Sequence, residues 1–267
     1  MKKQPVGIFD SGVGGLTVAH AIKQLLPREN LIYFGDTAHL PYGDKSAEAI
    51  RSYSRRITEF LLEQNSKVVL IACNSASASA FDSLKEEFNG KVILIDVIDP
   101  VVDYLSSRNF DKIGIIGTKR TISSGTYDTK LKQKSSATAV ISLATPLLVP
   151  MIEEGFIYDD ISNAILRAYL SDNSLTGIQA LVLGCTHYPI IRNQIRKIFN
   201  FNVEIIDSAK IVATVLRETL EKNDLLNDSA ESKEDLFFIS DYTPYFEKIA
   251  GMFFEGEINL RKADIWG

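Results

Sequence analysis

The sequence predicts an α/β protein made of two facing α/β lobes, with mainly parallel sheets and an active site in the cleft between the lobes. Short apolar runs alternate with amphipathic stretches along most of the chain, and most of these runs are rich in β-branched or aromatic residues. Near-continuous apolar strands between helices are typical of a parallel sheet covered on both faces. Polar residues follow one strand after another, and such sheets bind ligands at the carboxyl ends of their strands.

The elements follow from these patterns in chain order. The apolar runs predict buried strands at Val6–Phe9, Leu31–Phe34, Val68–Ala72, Val92–Ile95, Ile113–Ile116, Leu181–Leu183 and Val203–Ile206. Helical spacing of apolar residues predicts amphipathic helices at Leu16–Leu26, Ser46–Gln64, Ala76–Phe88, Asp159–Leu170 and Arg192–Phe199. Around one shared cleft we expect the residues that follow the strands, namely Asp10-Ser11, Gly35-Asp36, Cys73-Asn74-Ser75, Gly117-Thr118 and Cys185-Thr186-His187.

Two segments of the chain are similar to each other. Residues 68–75 and 180–187 both form a predicted strand that ends in cysteine, followed by two polar residues and a helix. This similarity predicts two α/β lobes, and the proline of Asp99-Pro100 predicts a boundary. We expect a discontinuous first lobe, residues 1–98 with 208–267, and a second lobe, residues 99–207. The polar and acidic stretch Asn223–Glu234 predicts a surface loop.

The bulk composition excludes several classes of protein. The chain has 267 residues, a net charge of -5 and a pI near 5.4, which argue against a nucleic-acid-binding stripe or a membrane-surface patch. No apolar stretch approaches the length that spans a bilayer. Two cysteines are too few for a disulfide scaffold, and a reducing compartment would keep both as thiols. We therefore expect a cytoplasmic protein without a membrane or nucleic-acid partner.

Cys73 and Cys185 are the first candidates for chemistry. A single cysteine is usually a small buried hydrophobe. Both of these lie at predicted strand-to-helix turns, where backbone amides and the helix dipole lower a thiol pKa and make thiolate available near neutral pH. Two cysteines in similar turns favour a functional interpretation.

Several kinds of chemistry could use these thiols. The two positions are too far apart for a CxxC redox motif, and a zinc site of Cys73, Cys185 and His187 lacks the diagnostic ligand spacing. A Cys–His nucleophile pair with His187 would leave the other thiol idle. Two opposed acid/base groups would use both, since one would remove a proton from carbon and the other would deliver one to the opposite face.

The glycine-rich loop at residues 10–15 also has more than one interpretation. The fingerprint GxGxxG would need glycine where Thr17 stands, and the sequence contains no P-loop. The loop is either a turn that brings backbone amides close to a small anion, or a structural tight turn. Asp10 is then a site residue or a helix cap, and His187 could cap a helix that begins near Pro189.

Four segments together resemble bacterial glutamate racemases. They are Gly-Ile-Phe-Asp-Ser-Gly-Val-Gly-Gly-Leu-Thr-Val (7–18), Tyr-Phe-Gly-Asp-Thr-Ala-His-Leu-Pro-Tyr-Gly (33–43), Ala-Cys-Asn-Ser-Ala-Ser-Ala (72–78) and Leu-Gly-Cys-Thr-His-Tyr-Pro (183–189). The resemblance runs in order from about Val6 to about Ser208 and is weaker beyond it. No single segment is specific, but their combination is.

The resemblance implies an isomerase that interconverts L- and D-glutamate without pyridoxal phosphate, metal or any other cofactor. It implies the supply of D-glutamate for peptidoglycan synthesis, and hence for cell-wall biogenesis and cell shape. It also implies two α/β lobes with the site between them, and a homodimer, since members of the family are commonly dimers. L- and D-glutamate are then the expected small-molecule partners.

The resemblance also implies roles for individual residues. The family's catalytic residues fall on Cys73, Cys185, Asp10, His187 and Glu153, where Glu153 is taken from Pro-Met-Ile-Glu-Glu-Gly (150–155) and Glu154 is the rival. By the family's pattern, Cys73 acts on the D-isomer and Cys185 on the L-isomer. Many members have threonine at the position of Ser75. The serine of this chain keeps the hydroxyl of that threonine but lacks its methyl group. Substrate binding is expected from Asp10, Ser11, Pro41, Tyr42, Gly43, Asn74, Ser75, Thr118, Thr121, Thr186 and His187.

The expected mechanism and its alternatives follow from the chemistry of an amino acid. Its α-proton is poorly acidic, so amides and hydroxyls at Ser11, Asn74, Ser75 and Thr186 are expected to hold the α-carboxylate as charge develops. Two thiolates facing one small site would repel, so one thiol is expected to be ionised and the other protonated. An aspartate racemase of the same superfamily stays open, as does a catalytically silent amino-acid-binding regulator, which loss of either thiol would favour.

Overall fold

The structure is a computed structural model that describes residues 1–135, 137–229, 234–256 and 258–266. Its strands are β1 Val6–Asp10, β2 Leu31–Gly35, β3 Val68–Ile71, β4 Ile93–Asp96, β5 Lys112–Gly117, β6 Ala139–Ala144, β7 Ala180–Gly184, β8 Glu204–Ile206, β9 Leu236–Ile239 and β10 Leu260–Lys262. Its α-helices are α1 Leu16–Leu25, α2 Ala47–Glu63, α3 Asn74–Glu87, α4 Asp99–Ser106, α5 Lys119–Ser123, α6 Thr126–Lys134, α7 Leu148–Glu153, α8 Asp160–Leu170, α9 Arg192–Ile198, α10 Ser208–Lys222 and α11 Pro244–Phe254. Short 3-10 helices lie at Thr37–His39, Tyr42–Asp44, Asn173–Leu175 and Tyr188–Ile191.

The first sheet has the strand order β10-β9-β2-β1-β3-β4, and its described pairs are all parallel. β1 is buried along its whole length, and its Phe9 lies between Phe34 and Ile71 of the neighbouring strands. Burial on both faces explains why this strand is apolar without alternation. Asp10 ends β1, and Cys73 lies just beyond the end of β3, so both are at the carboxyl edge of the sheet.

The second sheet has the strand order β6-β5-β7-β8 and is also parallel. The register aligns Gly117 at the end of β5 with Ala144 of β6 and Gly184 of β7. Thr118, Thr145 and Cys185 directly follow these three residues. Three polar side chains therefore lie side by side at the carboxyl edge of the second sheet.

Helix α10 connects the two halves of the fold. It follows β8 of the second sheet and packs against α1, which lies between β1 and β2 of the first sheet. Its buried Val212, Leu216 and Leu220 recur at intervals of four and form one apolar stripe. One hydrophobic core contains these side chains together with residues of both sheets, and a second covers the other face of the first sheet. No helix in the described chain is long and apolar enough to cross a bilayer.

The predicted fold class is confirmed, with two parallel α/β sheets. All predicted strands are present, with ends shifted by at most one residue, and all predicted helices are present within two residues. The sequence patterns missed β6, β9 and β10 as well as α4, α5, α6, α7, α10 and α11. Asp99-Pro100 lies at the start of α4. This helix connects β4 of the first sheet to β5 of the second sheet.

The expected surface loop Asn223–Glu234 is only partly one. Leu225 and Asn227 are buried, and hydrogen bonds hold both in place. The Asn227 backbone amide donates to the Glu29 carboxylate at 2.7 Å, and the Lys67 ammonium donates to the Leu225 carbonyl at 2.8 Å. Residues 230–233 of this stretch lie outside the described chain. Part of this stretch therefore packs against the amino ends of the strands of the first sheet, which its polar composition did not indicate.

Candidate active site

A cavity of about 210 Å³ lies where the carboxyl ends of the two sheets face each other. Because a water molecule takes up about 30 Å³ in the liquid, this space suits a molecule of amino-acid size. The first sheet's loops contribute Ser11, Leu40, Pro41, Tyr42, Gly43, Asp44, Cys73, Asn74 and Ser75. The second sheet's loops contribute Thr118, Lys119, Thr145, Pro146, Val149, Pro150, Glu153, Gly184, Cys185, Thr186 and His187. A larger cavity of about 610 Å³ between α1, α10 and α11 contains neither thiol.

Cys73 occupies the N-cap position of α3. Its Sγ accepts a hydrogen bond from the Ala76 amide at 3.4 Å, and its thiol donates to the Ser11 hydroxyl at 3.6 Å. Burial, and after it the charge of Asp10, raise the pKa of Cys73 to about 12 against these two hydrogen bonds. The turn amide lowers this thiol pKa as predicted, but burial outweighs it, so the expectation of a thiolate at Cys73 near neutral pH is wrong and Cys73 is protonated there.

Asp10 lies behind the wall of the cavity. It is fully buried, and its Oδ2 accepts from the Gly12 amide at 3.0 Å, while Oδ1 is buried with no hydrogen-bond partner in the described chain. Burial raises the pKa of Asp10, partly offset by the charge of His187 and by amides of the glycine-rich loop. The side chain thus acts electrostatically on Cys73 and does not line the cavity.

Cys185, His187 and Glu153 form a linear set at the opposite wall. His187 Nδ1 lies 3.7 Å from Cys185 Sγ, and its Nε2 lies 3.0 Å from Glu153 Oε1. Burial lowers the pKa of His187, but the hydrogen bonds and charges of Cys185 and Glu153 outweigh it and raise that pKa to about 10. The ring is therefore an imidazolium at neutral pH, with its positive charge 3.7 Å from Cys185 Sγ.

The glycine-rich loop holds the His187 side of the cavity closely. A Cβ on Gly14 would lie 2.4 Å from the His187 ring and 2.6 Å from the Thr186 hydroxyl, so only glycine fits there. The Thr17 hydroxyl donates to the Thr186 carbonyl at 3.2 Å, and the His187 ring meets Phe253 of α11 edge-on at 4.9 Å. These contacts join the loop after β1 and helices α1 and α11 to the Thr186-His187 segment of the second sheet.

Hydroxyls and one amide cover the rest of the wall. Ser75 Oγ lies 2.9 Å from Thr118 Oγ1 and 3.2 Å from Thr121 Oγ1, which joins the two sheets by hydrogen bonds. Asn74 Oδ1 accepts from the Tyr127 hydroxyl at 2.8 Å. Asn74 lines the cavity, and its Nδ2 is a buried donor with no hydrogen-bond partner among the described residues.

The loop after β2 supplies Pro41, Tyr42 and Gly43. The Tyr42 hydroxyl donates to the buried Asp36 carboxylate at 2.7 Å, which fixes the ring while the residue lines the cavity. A Cβ on Gly43 would lie 3.0 Å from the Thr118 Cβ, so this loop reaches the opposite sheet.

Known proteins are similar to this chain over nearly its whole length. The family model for Asp/Glu/Hydantoin racemases matches residues 14–216. The glutamate racemase of Chlorobaculum parvum is 41% identical over 255 residues, which are 95% of this chain and 93% of that protein. This chain belongs to the glutamate racemase family. As a member of that family it is an amino-acid racemase.

Solved structures of glutamate racemases have the same fold. The Francisella tularensis enzyme, in complex with D-glutamate, has a TM-score of 0.94 and 37% identity, and the match covers 100% of this chain and 99% of that one. The Thermus thermophilus enzyme, in complex with beta-chloro-D-alanine, has a TM-score of 0.89 and 36% identity, and the match covers 98% of this chain and 97% of that one.

Most residues predicted for this racemase site lie together. The exceptions are Asp10 and Thr121, which lie in the layer behind the lining residues. The geometry favours Glu153 over Glu154, because the Glu153 carboxylate contacts His187 and lines the cavity. His187 does not cap the following helix with its side chain. No cluster of three or more His, Cys, Asp or Glu suited to a metal is present in the described chain.

Sequence reasoning missed part of the second sheet's contribution to this racemase site. Thr145, Pro146, Val149 and Pro150 line the cavity and follow β6, a strand that was not predicted. The Thr145 hydroxyl lies 2.7 Å from the Tyr188 hydroxyl. A threonine–proline pair after an apolar run, as at 144–146, is the pattern that could have indicated them.

Proposed function

We propose that this protein interconverts L- and D-glutamate by a two-thiol acid/base mechanism. The main support is that two thiols in opposite electrostatic surroundings line one small cavity from two different sheets. Relatives at 41% and 37% identity are glutamate racemases, and a similar glutamate racemase structure contains D-glutamate, which supports glutamate as the substrate.

The resting state is set by the neighbours of each thiol. The His187 imidazolium, itself held by Glu153, favours a thiolate at Cys185. Cys73 stays a thiol because burial and Asp10 oppose its ionisation. The protein is then poised to deprotonate at one wall of the cavity and to protonate at the other.

The proposed reaction from L-glutamate has two proton transfers. The Cys185 thiolate takes the α-proton and becomes a thiol, which leaves a carbanion. The Cys73 thiol gives its proton to the opposite face of that carbon and becomes a thiolate, which yields D-glutamate. The reverse reaction starts at the Cys73 thiolate, or the two thiols exchange protons with solvent to restore the resting state.

Donors in the cavity stabilise the carbanion. We propose that Ser11, Asn74, Ser75 and Thr186 hold the α-carboxylate, whose charge increases as the proton leaves. The unpartnered Asn74 Nδ2 supports this role, because a buried donor without an acceptor is costly until a ligand supplies one. Tyr42, Gly43, Pro41 and Thr118 are proposed to enclose the substrate, and Thr121 to orient the hydroxyls.

We further propose that racemisation needs neither pyridoxal phosphate nor metal, and that it supplies D-glutamate for peptidoglycan synthesis in the cytoplasm. Both thiols are present, so the chain keeps the acid/base groups that the reaction requires. A homodimer without nucleic-acid or membrane partners is proposed as the working form. The net charge of -5 agrees with the absence of a nucleic-acid surface.

One experiment tests the substrate and the absence of a cofactor together. Protein dialysed against chelator is mixed with L-glutamate and, separately, with L-aspartate, and loss of optical activity is followed by circular dichroism. We expect the glutamate signal to fall to zero without any addition. A signal lost only with L-aspartate would make the protein an aspartate racemase, and binding without turnover would make it a regulator. Strict dependence on pyridoxal phosphate or metal would contradict the two-thiol mechanism.

A further inference from the structure

Trp266 lies against the loop that encloses the cavity. Its indole ring meets the His39 ring edge-on, with centroids 4.5 Å apart, and meets Tyr53 of α2 at 5.5 Å. His39 in turn stacks on Tyr53 at 4.1 Å with an interplanar angle of 21°. The imidazole is therefore held on one face by Tyr53 and at its edge by Trp266.

His39 connects these aromatic rings to the cavity through Asp36. The Asp36 carboxylate is fully buried, lies 2.9 Å from His39 Nδ1, and accepts from the Tyr42 hydroxyl at 2.7 Å and from the Ser240 hydroxyl at 2.8 Å. Tyr42 lines the cavity. A continuous set of contacts thus runs from Trp266 to a residue of the proposed substrate site.

The segment that carries Trp266 is firmly attached to the first sheet. The Ala263 amide donates to the Ile239 carbonyl at 3.0 Å, and Arg56 Nε donates to the Ile265 carbonyl at 2.8 Å. The Ile265 side chain is buried in the same hydrophobic core as Tyr42. These contacts give the indole a fixed place from which to restrain His39.

We propose that Trp266 is a positioning residue that keeps the loop of Pro41, Tyr42 and Gly43 in its substrate-binding conformation, an inference that rests on the proposed function of that loop. A loop that is already ordered loses less conformational entropy when a ligand binds, so restraint at His39 increases affinity. Trp266 touches neither thiol and leaves the proton transfers to them.

The first test separates binding from chemistry. Trp266→Ala should raise KM about three- to tenfold and leave kcat within about twofold, since uniform binding and not transition-state chemistry is lost. Trp266→Phe keeps an aromatic edge at His39 and should return KM close to the wild-type value. Phe201→Ala, which removes an exposed ring stacked under Arg196, is the matched control and should change neither constant.

The second test uses the unmodified protein, because Trp266 is the only tryptophan in the chain. Bound glutamate adds charge beside Tyr42, whose hydrogen bond to Asp36 continues to His39, so saturating L-glutamate should change the electric field at the indole, and hence the tryptophan emission, with a half-maximum near KM and without movement of the ordered loop. A His39→Leu variant breaks the connection to Asp36, and its emission should no longer respond.

The outcomes separate this inference from the proposed function. A Trp266→Ala variant with KM within about twofold of wild type, or a wild-type emission that ignores saturating L-glutamate, overturns the role of Trp266 while racemisation stands. If Trp266→Ala does not fold, the emission of the wild-type protein decides alone. If only L-aspartate is racemised, the substrate proposal fails and the same measurements with L-aspartate test Trp266.

Discussion

The two thiols have similar sequence contexts and opposite surroundings in the fold. Cys73 lies beside the carboxylate of Asp10, whereas Cys185 lies beside the imidazolium of His187. Burial and the charge of Asp10 both raise the pKa of Cys73, whereas the neighbour of Cys185 carries the opposite charge. The sequence could identify both cysteines, but apart from the family resemblance it could not distinguish their surroundings, because Glu153 approaches His187 only through the fold.

Alkylation tests this difference directly. Iodoacetamide needs a thiolate, so Cys73, whose pKa is raised to about 12, should react slowly near neutral pH and faster as pH rises toward that value. Cys185 should react first. Asp10→Asn removes a charge that raises the pKa of Cys73, so that variant should accelerate alkylation of Cys73. Peptide mass spectrometry gives both rates, and equal rates for the two thiols near neutral pH would contradict the assignment.

Removal of either thiol should stop the reaction. Cys73→Ala and Cys185→Ala should each lower kcat by at least about a thousandfold while glutamate still binds, because each thiol serves one face of the substrate. The fold should survive, since the void left by a sulfur atom costs on the order of 1 kcal/mol. Ser83→Ala, farther along α3, is a control. Chiral chromatography and calorimetry measure turnover and binding, and substantial turnover by either variant would remove that residue from the acid/base pair.

The elements that could be predicted are those whose sequence pattern is set by full burial. β1 and β7 are buried throughout and stand out as apolar runs. β6 is a half-exposed edge strand of Ala and Ser as well as Val, Ile and Leu, so its composition did not indicate a strand. Helix α10 has a regular apolar stripe and could have been found, whereas the five-residue α5 is too short to show one.

The close packing of the glycine-rich loop on His187 gives a prediction for that element. Gly14→Ala would place a Cβ 2.4 Å from the His187 ring, so ring and loop must separate, and kcat should fall at least about tenfold because a small displacement of an acid/base group is costly. Gly251→Ala in α11 is the matched control, since its Cβ would have its nearest neighbour at 3.8 Å. Kinetics and thermal unfolding are measured for both, and a fully active Gly14→Ala variant would show that His187 does not depend on this contact.

At the scale of the whole molecule, the site depends on two sheets facing each other. Strands from residues 6–96 and 236–262 form the first sheet, and strands from residues 112–206 form the second. We propose that residues 1–98 with 208–267 and residues 99–207 are the two lobes, and the packing of α10 on α1 supports placing 208–267 with the first. Each sheet supplies one thiol at its carboxyl edge, so we propose that a substrate between the sheets has one thiol on each side.

This placement makes a prediction about the origin of the transferred proton. If Cys185 removes protium from L-glutamate in heavy water and Cys73 donates solvent deuterium from the opposite face, early D-glutamate should be almost fully deuterated at the α-carbon. The remaining L-glutamate should stay protiated, because only Cys185 reaches the face that gives L-glutamate and the proton it returns there is the protium it removed. Mass spectrometry after chiral separation at low conversion measures both pools. A single base serving both faces would return the original hydrogen, so D-glutamate that keeps its protium would exclude the two-thiol mechanism even in an active racemase.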